Sequence, residues 1–245
     1  MLLDATGLAV IAAVAIVAAM VGGMGGFGTG IILTAALAPF VGVKNVIPVM
    51  TVASAIINLG RFWFYRASLD RRTLALVIAC ALPFLVLGTW IYSVLDARAI
   101  GTVLGVVVIV SIPLRRWLRR RQIVLGRAGL AVGSGVFGLA HGVATGVGVI
   151  LVSLLLGAGL SGQAVLATDA LVSIALDVTK AALFQKFSLL NEEIFVTGVV
   201  LGVATIPGSA AAAWLVNRMH AHLHVLFIEV LVIIGGLSLL WNSWK

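Results

Sequence analysis

GGMGGFGTG, residues 22–30, holds six glycines in nine positions, with LAVIAAVAIVAAMV (residues 8–21) before it and IILTAALAPFV (residues 31–41) after it. Glycine in a helix interior costs roughly 1 kcal/mol against alanine, so six of them together break any helix that carries them. Inside a membrane, broken backbone survives only where protein buries it or where it lines a watery cavity. The first apolar segment is therefore expected as two half-helices facing each other across a glycine loop. A second interrupted segment lies at residues 133–148. Glycine-broken apolar segments in matching positions point to a transporter binding site.

Composition sets the solvent. The chain has 245 residues, 62% hydrophobic and 10% charged, where a soluble domain is about 45–50% apolar and about 25% charged. With a mean hydropathy of +1.23, it reads as an all-α polytopic membrane protein. A transmembrane β-barrel would show ~10-residue alternating segments instead. The net charge of +8 implies no nucleic-acid partner, because the arginines collect in loops beside apolar helices and bias those loops to the cytoplasm. The single cysteine, Cys80, excludes a disulfide framework. MLLD at the start has an acid and no basic n-region, so it is expected as retained helix rather than cleaved signal.

A spanning helix needs about 20 residues to cross roughly 30 Å of hydrocarbon. Residues 8–21 and 31–41 each fall short of that, which leaves two readings: a re-entrant hairpin, or one kinked and strongly tilted span. Spans follow at residues 46–65 and at 74–95 with Pro83 inside, and then comes an apolar run at 100–113. LRRWLRRRQ (residues 114–122) is the basic midpoint. The plan then repeats: an interrupted segment at 130–156, spans at 164–184 and 194–216 with Pro207 inside, the turn NRMHAHLH (residues 217–224), and a last helix ending at WNSWK.

Three patterns recur in the same order. Thr29-Gly30 matches Thr145-Gly146, Ser54-x3-Asn58-x2-Arg61 matches Ser173-x3-Asp177-x2-Lys180, and Pro83-x6-Trp90 matches Pro207-x6-Trp214. Internal duplication follows, with residues 1–122 as the first repeat and 123–245 as the second in one membrane domain. If each broken segment is re-entrant, each half crosses three times and the halves are inverted. The loops at 66–72, 115–127 and Arg218 then share the cytoplasmic face. The full-span reading satisfies the charge bias too, so charge leaves both open.

Gly23-x-Gly25-x-x-Gly28 and Gly133-x-Gly135-x-x-Gly138 match the dinucleotide fingerprint, which needs an acid about 20 residues on. No acid lies between Asp4 and Asp70, so that reading fails for the first. Half-helix ends instead expose amides that favour anions, and the competing reading is close helix packing through small residues. The candidate anion contacts are Gly25, Gly26, Gly28, Thr29, Gly30, Gly142, Thr145 and Gly146, with His141 four residues before Thr145. A histidine there carries a proton, binds an anion when charged, or is merely bonded to a neighbouring carbonyl. Each threonine hydroxyl meets substrate oxygen or its own backbone. Asn58 with Arg61, and Asp177 with Lys180, share a helix face at i,i+3; Arg61 either tunes the site or snorkels to the interface, and Asp177 with Lys180 could simply neutralise each other. Asp169 has no obvious partner. It reads as a candidate proton carrier, as does Asp177, or else as an interfacial acid. The H-x-H-x-H run at His220, His222 and His224 has the spacing for a metal, but no cysteine or acid accompanies it, so neither metal nor cofactor is expected. Trp63, Trp90, Trp117, Trp214, Trp241 and Trp244 fall near helix ends as interfacial anchors.

The glycine-broken first segment, the following PVMTVASA (residues 48–55), the basic end of that helix and the repetition after a basic midpoint together resemble the sulfite exporter TauE/SafE family, over nearly the whole chain. The resemblance implies an inner-membrane permease for sulfite, thiosulfate, a sulfonate or another small organic anion, and no enzyme. The second glycine run departs from that family's usual pattern: it reads GLAHGVATG, with His141 and Ala144 in place of glycines. The rival functions are an uncoupled anion channel and an integral membrane enzyme. Against the enzyme, no nucleophile comes with a base, and no loop exceeds about a dozen residues. The expected partners are the anion, the lipid bilayer and, as an open alternative, further copies of the chain.

Overall fold

The computed structural model describes residues 5–22, 28–121 and 124–216, together with Leu237 and Trp241. The described chain is helical: α1 Ala5–Gly22, α2 Gly28–Val41, α3 Val43–Tyr65, α4 Arg71–Val94, α5 Ala97–Arg121, α6 Arg127–Val143, α7 Gly148–Gly157, α8 Gln163–Lys186 and α9 Glu192–Val216. Two stretches among the described residues, Val43–Ser68 and Arg71–Val94, pass as spanning segments by length and hydropathy. Gly25, Gly26, the histidine run and most of the expected last helix lie outside the described residues. So does the side chain of Thr29, although its backbone sits in the first turn of α2.

Local chemistry accounts for the boundaries. Asp70 caps α4, its carboxylate accepting from the Thr73 amide at 2.7 Å, as a side-chain oxygen at a helix start does. Gly42 takes φ +77° and turns α2 into α3 with one linking residue. α4 runs through Pro83 and α9 through Pro207. The basic midpoint, expected as a loop, is helical: α5 continues to Arg121. Arginine is a good helix former, and its long stem lets the charge reach water from a helix end.

The second interruption is narrower than expected. Gly133, Gly135, Gly138 and Gly142 all lie inside α6, and the helix opens only at residues 144–147, where Gly146 takes φ +81°. A Cβ on Gly142 would sit 2.7 Å from both the Leu85 carbonyl oxygen and the Thr89 nitrogen, and one on Gly138 would overlap the Ala81 carbonyl. These two glycines bring α6 directly onto α4, as small residues do between membrane helices. For them, packing is the correct reading and loop formation is not.

Helix directions follow from the contacts. The Leu125 amide, just before α6, donates to the Gly157 carbonyl at the end of α7 (2.7 Å), and Gly133 packs against Leu154. α7 thus folds back along α6. Ser68 bonds Gln163 at 3.2 Å, which puts the start of α8 beside the end of α3. At the other end, Tyr92 donates to the Lys44 carbonyl at 2.7 Å, and its ring lies 5.4 Å from that of Phe184. Hence α3 and α8 run antiparallel through the centre. α4 packs on α6 and on α8, while α9 packs on α1 and on α3.

Candidate functional site

Polar groups are rare in this interior, and they concentrate on α3, on α8 and beside the opened backbone at residues 144–147. On α8, Asp169, Ser173, Asp177 and Lys180 recur at four, four and three residues, which places them on one face; all are buried. α3 offers Ser54, Asn58 and Arg61 at the same spacing. The Asn58 amide donates to Ser54 Oγ at 3.2 Å, and Arg61 Nη1 donates to Asn58 Oδ1 at 3.0 Å.

The charges pair between helices. Arg61 Nη2 lies 3.1 Å from Asp169 Oδ2, so Asp169, which looked partnerless, has a guanidinium against it. His141 Nε2 lies 2.9 Å from Asp177 Oδ1. A carboxylate only accepts, so the ring donates from Nε2. Lys180 does not close on Asp177, three residues away, as the i,i+3 spacing allowed. Its ammonium donates to the carbonyls of His141 (2.5 Å) and Ala144 (3.5 Å). Those oxygens end α6, where the helix dipole is negative and a cation is favoured. Asp169 is also within electrostatic reach of His141 and Asp177, so the two pairs form one cluster. Asp169 Oδ1 and Asp177 Oδ2 are buried without hydrogen-bond partners.

Opposite the carbonyl end of α6 stands the amide end of α7. Gly148 and Val149 begin that helix, and first-turn amides have no helical acceptor. Thr145, in the opening between the two, bonds Thr34 Oγ1 of α2 at 2.7 Å. Thr34 gives its own proton to the Gly30 carbonyl at 2.7 Å, so Thr145 is the donor in the bond between them. The two interrupted segments therefore touch. Thr34 is a residue that sequence reading passed over. Its signal was present as the one hydroxyl in an otherwise apolar IILTAALAPFV.

Of the expected contacts, the structure gathers Asn58, Arg61, His141, Thr145, Gly146, Lys180, Asp169 and Asp177 around the α3–α8 contact and the opening at residues 144–147. Gly142 is turned to α4, while Gly28 and Gly30 sit in the first turn of α2. Trp63, Trp90, Trp117 and Trp241 are exposed on the helical surface, and Arg66 stacks 4.1 Å above the Trp63 ring.

Apolar helices of spanning length around a buried ionisable cluster and an opened helix fit a membrane transport protein. The family model Sulfite exporter TauE/SafE matches residues 11–239, and the chain belongs to this family of membrane transporters. No curated protein and no solved structure matches it.

Proposed function

We propose that the chain is a secondary transporter for a small anion such as sulfite, thiosulfate, a sulfonate or an organic acid, bound where the two interrupted segments meet. The observation that carries this reading is the contact of Thr34 with Thr145 beside the amide end of α7. Lys180 holds the carbonyl end of α6, so the negative dipole end is neutralised while the positive end of α7 stays open to an anion. Thr145 and Gly146 supply contacts, together with Thr29, Gly25, Gly26 and Gly28 of the first segment. Asn58 and Arg61 shape the field, and Asp169, Asp177 or His141 carries a coupling proton.

Inverted repeats, residues 1–122 and 123–245, are supported by the helix packing. Exchanging the halves turns α4 on α6 into α9 on α1, turns α4 on α8 into α9 on α3, and leaves α3 on antiparallel α8 unchanged. The return of α7 along α6 supports a re-entrant second segment. Residues 66–70 and 124–126 then share an end, and with Arg66, Arg71, Arg72 and Arg127 at or beside them that end is assigned to the cytoplasm, at the inner membrane.

Reconstituted into liposomes, the protein should move sulfite, and Arg61→Ala and Lys180→Ala should slow that flux at least about tenfold while still inserting, the size of one lost charged contact. Unchanged kinetics in both variants remove these side chains from the site. The channel reading shares the same loops. A flux indifferent to an imposed proton gradient would favour it.

A further inference from the structure

The cluster holds two cations, a partly exposed Arg61 and a buried Lys180 whose ammonium is held on the carbonyl end of α6, and two buried acids, Asp169 and Asp177. With His141 neutral, these charges cancel. A monoanion entering such a cluster leaves an uncompensated charge in an apolar interior, which is strongly unfavourable. The cluster needs one more positive charge, and imidazole is the side chain whose charge changes in the physiological range.

We propose that His141 takes up one proton for each anion bound, so that the site accepts a permanently charged monoanion together with a proton. The inference rests on the permease reading and decides between groups that reading leaves open. The proton is assigned to His141 rather than to Asp169, which has the Arg61 guanidinium 3.1 Å from its carboxylate. Asp177 serves as the fixed counter-charge, accepting from Nε2 at 2.9 Å, and the proton enters at Nδ1. The groups that face the ring support this assignment. From α8 these are Asp177, Asp169 and Lys180, whose ammonium is held on the His141 carbonyl. From α3 there is Arg61, beyond Asp169. α6 itself adds only the Phe137 ring, with centroids 5.3 Å apart. α7 has no titratable side chain, and α4 brings Tyr92, whose hydroxyl is turned to Lys44.

The test is titration calorimetry of the purified protein with methanesulfonate, isethionate and nitrate, monoanions that do not titrate, between about pH 6 and 8. Binding that requires a proton weakens as pH rises, approaching about tenfold per pH unit, with close to one proton taken up per anion at the alkaline end. In His141→Gln, whose amide keeps a donor toward Asp177, affinity should become flat with pH and the uptake should vanish. Infrared difference spectra of the wild-type protein, with and without anion, test the two acids with no variant. A proton on His141 adds no carboxylic acid band, whereas a proton on Asp169 or Asp177 adds one. The inference is overturned by a carboxylic acid band, by pH-independent binding in the wild type, or by proton uptake that persists in His141→Gln. Binding of sulfite with rejection of all three monoanions overturns it too, while leaving the permease reading standing. If neither sulfite nor any monoanion binds, the permease reading itself falls and takes the proton assignment with it.

Discussion

Arg61 and Asp169 form an unequal pair: the guanidinium side chain is 27% exposed and the carboxylate 3%. Removing the arginine leaves a buried charge with no partner, whereas neutralising the acid leaves an arginine that can turn outward. Arg61→Ala should therefore cost more stability than Asp169→Asn, by about 1–3 kcal/mol, and adding Asp169→Asn to Arg61→Ala should recover most of the loss. Thermal unfolding in detergent measures all three, and equal losses with no recovery would mean that the pair contributes nothing. The sequence shows which residues share a helix face, because i,i+3 spacing does that locally, and Arg61 does bond Asn58. It does not show that Arg61 meets Asp169 or that His141 meets Asp177. Those pairings depend on the directions of α3, α6 and α8, to which residue spacing is blind.

Among elements, α6 carries the clearest discrepancy between composition and conformation. Its glycines suggest a break across residues 133–148, yet most of them are helical and face α4, and the opening is confined to residues 144–147. A glycine is ambiguous in sequence because it permits both an unwound backbone and a close helix contact. Gly138→Ala separates the two roles. Its Cβ would run into the Ala81 carbonyl and should force α4 and α6 apart at about 1–3 kcal/mol. Gly60→Ala, with nothing within 4 Å of its Cβ, should be neutral or raise stability by up to ~1 kcal/mol through helix propensity. If Gly138→Ala melts no lower than Gly60→Ala, the α4–α6 contact is looser than the geometry requires.

For the whole molecule, topology is the property most open to test. If α6 and α7 form a re-entrant hairpin, the chain before α6 and the chain after α7 emerge on one side. If they form a single span, the two emerge on opposite sides. Val124 and Ser161 are both exposed. In a Cys80→Ser background, Val124→Cys and Ser161→Cys should react with a membrane-impermeant thiol reagent from the same face, the one that carries the arginine-rich loops. Labelling from opposite faces would end the inverted-repeat reading. The charge distribution alone could not settle this, because both topologies place most arginines on one side.

Hydropathy and helical periodicity are local quantities, and from them the sequence alone determined a helical membrane chain, the spans at α3 and α4 and the helix faces that carry its few charges. The glycine runs and repeated patterns were also legible there, as was the kinship that the family match bears out. Tertiary structure decided which glycines open a helix and which pack one. It also assigned Asp169 to Arg61, Asp177 to His141 and Lys180 to the end of α6. A buried charge takes its partner from whichever helix lies alongside, and packing, not order along the chain, sets that neighbour.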